Sequence, residues 1–167
     1  MTGQVLEIDV PPDEPSVVFR RVVQAPPSLV FRAWTEPAHL RQWFGPRGYA
    51  LVVCEIDLRV GGGYRFVQRA PDGRDYVFHG EYLEIDRPNR LVSTSGYEGA
   101  PGDESVQTLA FEATDGGGTL VTCRTIFPSF AARDFFTGSG MERGLRETQQ
   151  RLGEWLEVMT SPSGGER

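Results

Sequence analysis

The chain has 167 residues, enough for one buried core and short of what two ordinarily need. Hydrophobic residues make up 39% and charged residues 24%, a balance that excludes global disorder and fibrous repeats. A formal net charge of −6, with no stripe of Lys or Arg along any segment, argues against a nucleic-acid partner.

Residues 1–15 carry three prolines and several acids without sustained periodicity, and read as a flexible or edge-hugging N-terminal arm. They lack the basic start and apolar stretch of a signal peptide. No apolar run approaches the roughly 20 residues of a membrane span, so the expectation is a cytoplasmic protein without membrane insertion. Order is expected from Ser16. Val17 to Val23 is β-branched and aromatic, and Pro26-Pro27 ends this first strand. Leu29, Val30, Phe31 and Trp34 then repeat at helical spacing behind Pro27, and Pro37 opens a shorter helix with Leu40, Trp43 and Phe44, which Gly45-Pro46 stops.

Six strand-like runs follow, at about 49–59, 63–69, 75–86, 90–97, 105–114 and 118–127. Their connections, including Gly61-Gly62-Gly63, Pro71-Asp72-Gly73, Arg87-Pro88-Asn89 and Asp115-Gly116-Gly117, are short, so neighbouring strands pair antiparallel. After a loop holding Pro128, Gly138 and Gly140, residues 141–159 place Met141, Leu145, Thr148, Leu152, Trp155, Leu156 and Met159 on one face of a long amphipathic helix. Residues 161–167 read as a flexible tail, leaving 16–160 as a single domain. The order is that of an α+β fold. Seven antiparallel strands in one sheet are too many to stay flat, so the sheet curls around the last helix while the two short helices after strand 1 plug one end.

Several segments resemble one family in sequence and in order. They are Ala33-Trp34-Thr35-Glu36-Pro37, Leu40-Arg41-Gln42-Trp43-Phe44-Gly45-Pro46, Asp57-Leu58-Arg59-Val60-Gly61-Gly62, Gly80-Glu81-Tyr82-Leu83-Glu84-Ile85, Pro88 with Arg90-Leu91-Val92, and Gly140-Met141. Over about residues 16–158 the chain resembles the START-like, or Bet v 1-like, superfamily, and within it the homologues of the activator of the 90-kDa heat-shock protein ATPase. The resemblance implies the helix-grip fold: a curved seven-stranded sheet wrapped around a long C-terminal helix. The chain departs from the pattern at Phe44 and Met141, where similar proteins often carry tryptophan. It also has nothing in residues 1–15 to replace the N-terminal domain with which eukaryotic activators contact the chaperone.

Local motifs for chemistry are sparse. Gly61-Gly62-Gly63 joins two strands, whereas a phosphate cradle needs a following helix N-terminus, so a β-turn is expected. His39 and His79, and Cys54 and Cys123, sit at no metal-ligand spacing, so no metal or cofactor is expected and the cysteines read as buried free thiols. Ser93, Ser95 and Ser105 lack a strand-to-helix elbow. Asp57 with Arg59 reads as a surface charge pair, and Arg65 and Arg69 read as solvated strand residues.

The aromatic residues are more informative. Tyr64 and Phe66, and Tyr76 and Phe78, each lie two apart and share a strand face, where they either fill the core or line a pocket. A curved sheet and a single helix diverge at one end, where a cavity forms. Its expected ligand-binding residues are Trp43, Phe44, Tyr64, Phe66 and Phe78, with Met141 and Leu145 from the closing helix. Trp43 and Phe44 are expected as an aromatic lip, and Trp34 and Trp155 as packing. The expected partner is a small hydrophobic or amphipathic molecule, and a homodimer stays open. The alternatives are a polyketide cyclase- or dehydratase-like enzyme using His79, Glu81 or Glu84, and a chaperone-associated regulatory protein, for which the resemblance is the sole warrant.

Overall fold

The computed structural model describes residues 5–102 and 104–161. In chain order its elements are β1 (Glu7–Asp9), β2 (Ser16–Val23), α1 (Pro27–Thr35), α2 (Pro37–Trp43), β3 (Ala50–Ile56), β4 (Gly63–Arg69), β5 (Asp75–Asp86) and β6 (Arg90–Tyr97). They continue as β7 (Ser105–Ala113), β8 (Thr119–Ile126), α3 (Phe130–Gly138) and α4 (Met141–Thr160). The strands form one sheet in the order β1-β2-β8-β7-β6-β5-β4-β3, every neighbouring pair antiparallel.

Among the described residues the sheet has eight strands, not seven. The additional strand, β1, lies within the segment expected to be a flexible or edge-hugging arm and pairs with β2 in the register Glu7↔Arg20, Ile8↔Phe19 and Asp9↔Val18. Glu14 holds the same segment down through an ion pair with Arg124 at 2.5 Å. The tail expected over 161–167 lies, from residue 162 onward, outside the described residues.

Glu36 is both the last cap of α1 and the first of α2, with extended backbone at φ −103° and ψ 126°. Pro37 enforces that break, because the residue before a proline is pushed out of the helical region. Two bulges, between Leu51 and Val53 in β3 and between Tyr82 and Glu84 in β5, bend the half of the sheet farthest from β1. At Gly80 a Cβ would lie 2.1 Å from the Thr94 carbonyl oxygen and 2.3 Å from the Tyr64 ring, so only glycine lets that ring cross β5.

The core lies between the sheet and the helices. Phe19, Val23, Phe111 and Val121 of the sheet meet Val30, Phe31, Leu40 and Trp43 of the helix pair, and Leu152 and Leu156 of α4. Helix α4 is 20 residues long and is clasped to the α2–β3 loop by Arg151, whose Nη1 donates to the carbonyls of Gly45 at 2.9 Å and Pro46 at 3.2 Å. The ion pair of Arg47 with Glu154, at 2.6 Å, adds to this clasp.

The segment expected to be a loop before α4 contains α3, capped by Ser129, whose Oγ accepts from the Ala132 N–H at 3.0 Å. Arg133 anchors this helix. Its Nη1 donates to the carbonyls of Pro11 at 2.9 Å, Glu14 at 3.1 Å and Ser16 at 3.3 Å.

Candidate functional site

Alternate residues of the central strands face the helices, as a period of two requires. Tyr64, Phe66 and Gln68 of β4 do so, as do Tyr76 and Phe78 of β5, Ser93, Ser95 and Tyr97 of β6, and Ser105, Gln107 and Leu109 of β7. Together with the helices they border two neighbouring spaces. An outer cleft of about 520 Å³ opens between the sheet and α3, where Phe135 and Phe136 stand opposite Tyr76, Phe78 and Tyr97. An inner pocket of about 110 Å³ lies beneath α1 and α2, bounded by Trp34, Leu40 and Phe44 on the helix side and Tyr64, Phe66 and Tyr82 on the sheet side. Phe78, Ser95 and Gln107 line both spaces and so stand between them.

The walls are mainly aromatic and mutually braced. Phe44 meets Phe66 edge-on at 5.1 Å, Tyr64 lies 4.7 Å from Phe66, and Phe78 stacks with Tyr97 at 5.2 Å. Phe127 packs at 5.2 Å on Phe136, joining the sheet to α3. The Tyr64 hydroxyl donates to the Thr94 carbonyl at 3.1 Å. Burial raises the Tyr64 phenol pKa, opposed by hydrogen bonds with Ser95 and Ser93, and raises that of Tyr82 further, with Tyr64 and Cys54 adding to the effect. No Asp, Glu, Lys, Arg or His lines either space among the described residues.

Of the residues expected to bind ligand, Phe44, Tyr64, Phe66 and Phe78 converge on the inner pocket. Trp43 does not. It is fully buried, and its indole N–H donates to the Ala33 carbonyl at 2.9 Å, so it is core and not a lip. Trp34, expected to be packing, lines the inner pocket and meets Trp43 edge-on at 4.7 Å. Met141 packs on a separate small cluster with Val17, Phe127 and Ala132, and Leu145 packs against the main core, so neither reaches the lining. Gln68, Gln107 and the two phenylalanines of α3 were not foreseen. Strand parity carried the signal for the glutamines, each two residues from an apolar lining residue.

The acid–base candidates lie elsewhere. Neither His79, Glu81 nor Glu84 lines either space. His79 instead pairs with Gly96, where a Cβ would come within 2.7 Å of its ring, and Glu84 forms a salt bridge with Arg90 at 3.0 Å. Asp57 and Arg59 form an exposed ion pair at 2.8 Å, and Arg69 pairs with Asp75 at 2.8 Å. Cys54 and Cys123 are free and buried, and burial pushes their thiols up to about 11 and about 12. Among the described residues no group of His, Cys, Asp and Glu is arranged to hold a metal ion, and no helix is long and apolar enough to cross a membrane.

The antiparallel sheet, the helix pair set after β2 and the C-terminal helix packed on the core define an α+β protein of the helix-grip, START-like class. The chain belongs to the family described as Activator of Hsp90 ATPase homolog 1-like protein, which matches residues 24–157. It is similar to a Rhodobacter sphaeroides protein of known crystal structure at 27% identity and a TM-score of 0.83, over 93% of this chain and 100% of that one. A Nitrosomonas europaea protein is similar at 27% identity and a TM-score of 0.76, over 85% of this chain and 94% of that one. An AHSA1 protein from Silicibacter pomeroyi, at 20% identity and a TM-score of 0.69 over 86% of this chain and 98% of that one, shares the fold. No functionally curated protein matches the chain.

Proposed function

We propose that this protein binds a small hydrophobic or amphipathic molecule in the neighbouring cleft and pocket. The observation that carries the reading is an aromatic-walled inner pocket set against an outer cleft beside α3, the two sharing Phe78, Ser95 and Gln107 as lining. The cyclase or dehydratase alternative needs a carboxylate or imidazole facing a bound carbonyl, and His79, Glu81 and Glu84 are all absent from the lining. A chaperone-linked role draws its support from the family name alone.

Titration of the folded protein with Nile red, an uncharged fluorophore, examines this directly. The wild type should bind the dye with a blue-shifted emission. Phe78→Trp, which adds volume between the two spaces, should weaken binding about tenfold, whereas Trp43→Phe should leave it within about twofold. Failure of the folded wild type to bind the dye, or equal binding by Phe78→Trp, would defeat the reading. Native mass spectrometry of the purified protein should further reveal a co-purifying small molecule.

A further inference from the structure

A buried polar side chain ordinarily finds a hydrogen-bond partner within the protein, and Gln68 of β4 does not. It is 7% exposed and lines the outer cleft. Strand β4 is interior to the sheet, so the main chain of Gln68 is taken up by β3 on one side and β5 on the other. Neither Oε1 nor Nε2 of its amide is bonded to another group of the chain, yet neither is sealed. The sealed, unpartnered side-chain atoms among the described residues are Arg21 Nε and Trp34 Nε1. The Gln68 amide thus stays open, and the space its residue lines is the cleft.

Packing holds this amide in place while leaving its hydrogen bonds unused. A Cβ at Gly45 would come within 2.8 Å of Oε1 and 3.1 Å of Cδ, so the amide rests against the bare backbone of the α2–β3 loop. Arg151 fixes that loop from α4 by donating to the Gly45 carbonyl at 2.9 Å. Whichever way round the amide is turned, it offers one donor and one acceptor side by side. Directly across from it in register stands Tyr76, whose ring lies 6.3 Å from that of Tyr97 at an interplanar angle of 28°. Near-parallel rings therefore pave the cleft beside a free amide edge. No Asp, Glu, Lys, Arg or His lines the cleft among the described residues, so an ion entering it would lose hydration and find no counter-charge.

We propose that Gln68 determines the specificity of the outer cleft, selecting an uncharged, flat ligand whose edge carries an N–H beside a carbonyl, as a lactam or cyclic imide does. The ligand N–H donates to Oε1, its carbonyl accepts from Nε2, and its ring plane rests on Tyr76 and Tyr97. The proposal rests on the binding function inferred above and adds to it the chemical group that is recognised.

The test uses the full chain and three tricyclic probes: 6(5H)-phenanthridinone, which is a lactam, 5-methylphenanthridin-6-one, whose N–H is capped, and phenanthrene, which has neither group. The lactam-to-phenanthrene and lactam-to-capped affinity ratios should each fall about tenfold in Gln68→Met. In protein labelled with ¹⁵N at glutamine, the side-chain signals missing from Gln68→Met belong to Gln68, and the lactam should move them downfield relative to the phenanthrene complex. Because the variant removes a buried amide that has no partner, its urea midpoint without ligand should equal or exceed that of the wild type. A lower midpoint, or failure to fold, would mean that the amide serves the fold, and overturns the assignment. Unchanged ratios, or a Gln68 signal that stays in place, would mean that water serves it, and the ligand class falls while the cavity reading stands. A fall in the phenanthrene ratio alone overturns the paired N–H and carbonyl edge. If none of the three probes binds but Nile red does, the ligand class fails by itself; if Nile red fails as well, both readings fail.

Discussion

Trp155 of α4 donates its indole N–H to Nδ1 of His39 on α2 at 3.1 Å, and the other ring nitrogen of that histidine lies 3.3 Å from a Glu36 carboxylate oxygen. Because an indole cannot accept, Nδ1 must be unprotonated, and the imidazole is the neutral tautomer with its proton on Nε2. Burial lowers the His39 pKa, and this outweighs the attraction of Glu36, with Arg32 adding slightly to the lowering. Proton uptake therefore breaks a contact between the helix pair and the closing helix.

The sign of the pH dependence follows. A histidine whose folded pKa lies below its unfolded value of about 6.5 contributes stability that is present above that pH and is lost as pH falls through the folded pKa. The carboxylates of Glu14, Asp75 and Glu154, which their arginine partners hold below the usual range, act in a separate window below about pH 4.5. Urea midpoints should thus decline in the wild type as pH falls below about 6.5, before the carboxylate window is reached, and Gln in place of His39 should flatten that decline. An unchanged slope in His39→Gln would show that the imidazole does not titrate against Trp155.

Leu152 has no exposed surface and sits where α4 crosses the core. Leu152→Ala should cost about 2–5 kcal/mol in denaturant unfolding, the lost transfer energy plus that of the cavity left behind. Val158, on the same helix and 47% exposed, provides the contrast: Val158→Ala should stay within about 0.5 kcal/mol. Comparable losses at the two positions would mean that α4 is rotated about its axis.

Arg133→Met removes a guanidinium that bonds three main-chain carbonyls of the N-terminal segment, while keeping much of its aliphatic bulk. Hydrogen exchange should quicken in α3 and in residues 11–16 together, with β4 to β7 unaffected. The stability loss should be about 1.5–3 kcal/mol, the range for hydrogen bonds to a charged group. Faster exchange in α3 without change in residues 11–16 would show that the two segments are not coupled.

Much of this architecture was legible because strand parity and helix period are strong signals. The runs read at 63–69, 75–86 and 90–97 coincide with β4, β5 and β6, and Leu152 and Leu156 lie in the core. Strand β1 has a physical reason to be illegible: three residues with one inward side chain, Ile8, are too short to show a period of two. Helix α3 was hidden because Phe130, Phe135 and Phe136 are exposed, so its apolar residues do not mark a buried stripe. The exchange of roles between Trp34 and Trp43 has another origin. Both lie at apolar helical positions, and which ring reaches the cavity depends on how α1 and α2 pack, a tertiary property that spacing cannot encode. Parity did place Tyr64, Phe66 and Phe78, and the same rule extended by one step would have added Gln68.

Arg133 gives the N-terminal segment a mechanical part that its composition conceals. Phe135 and Phe136 form one jamb of the cleft's doorway, and the helix that bears them hangs, through one buried guanidinium, from the carbonyls of Pro11, Glu14 and Ser16. None of those three residues contributes to the cavity wall. Under the binding reading proposed above, slackening that tether is expected to widen the doorway, so that Arg133→Met should speed the release of a bound dye while altering no residue of the wall.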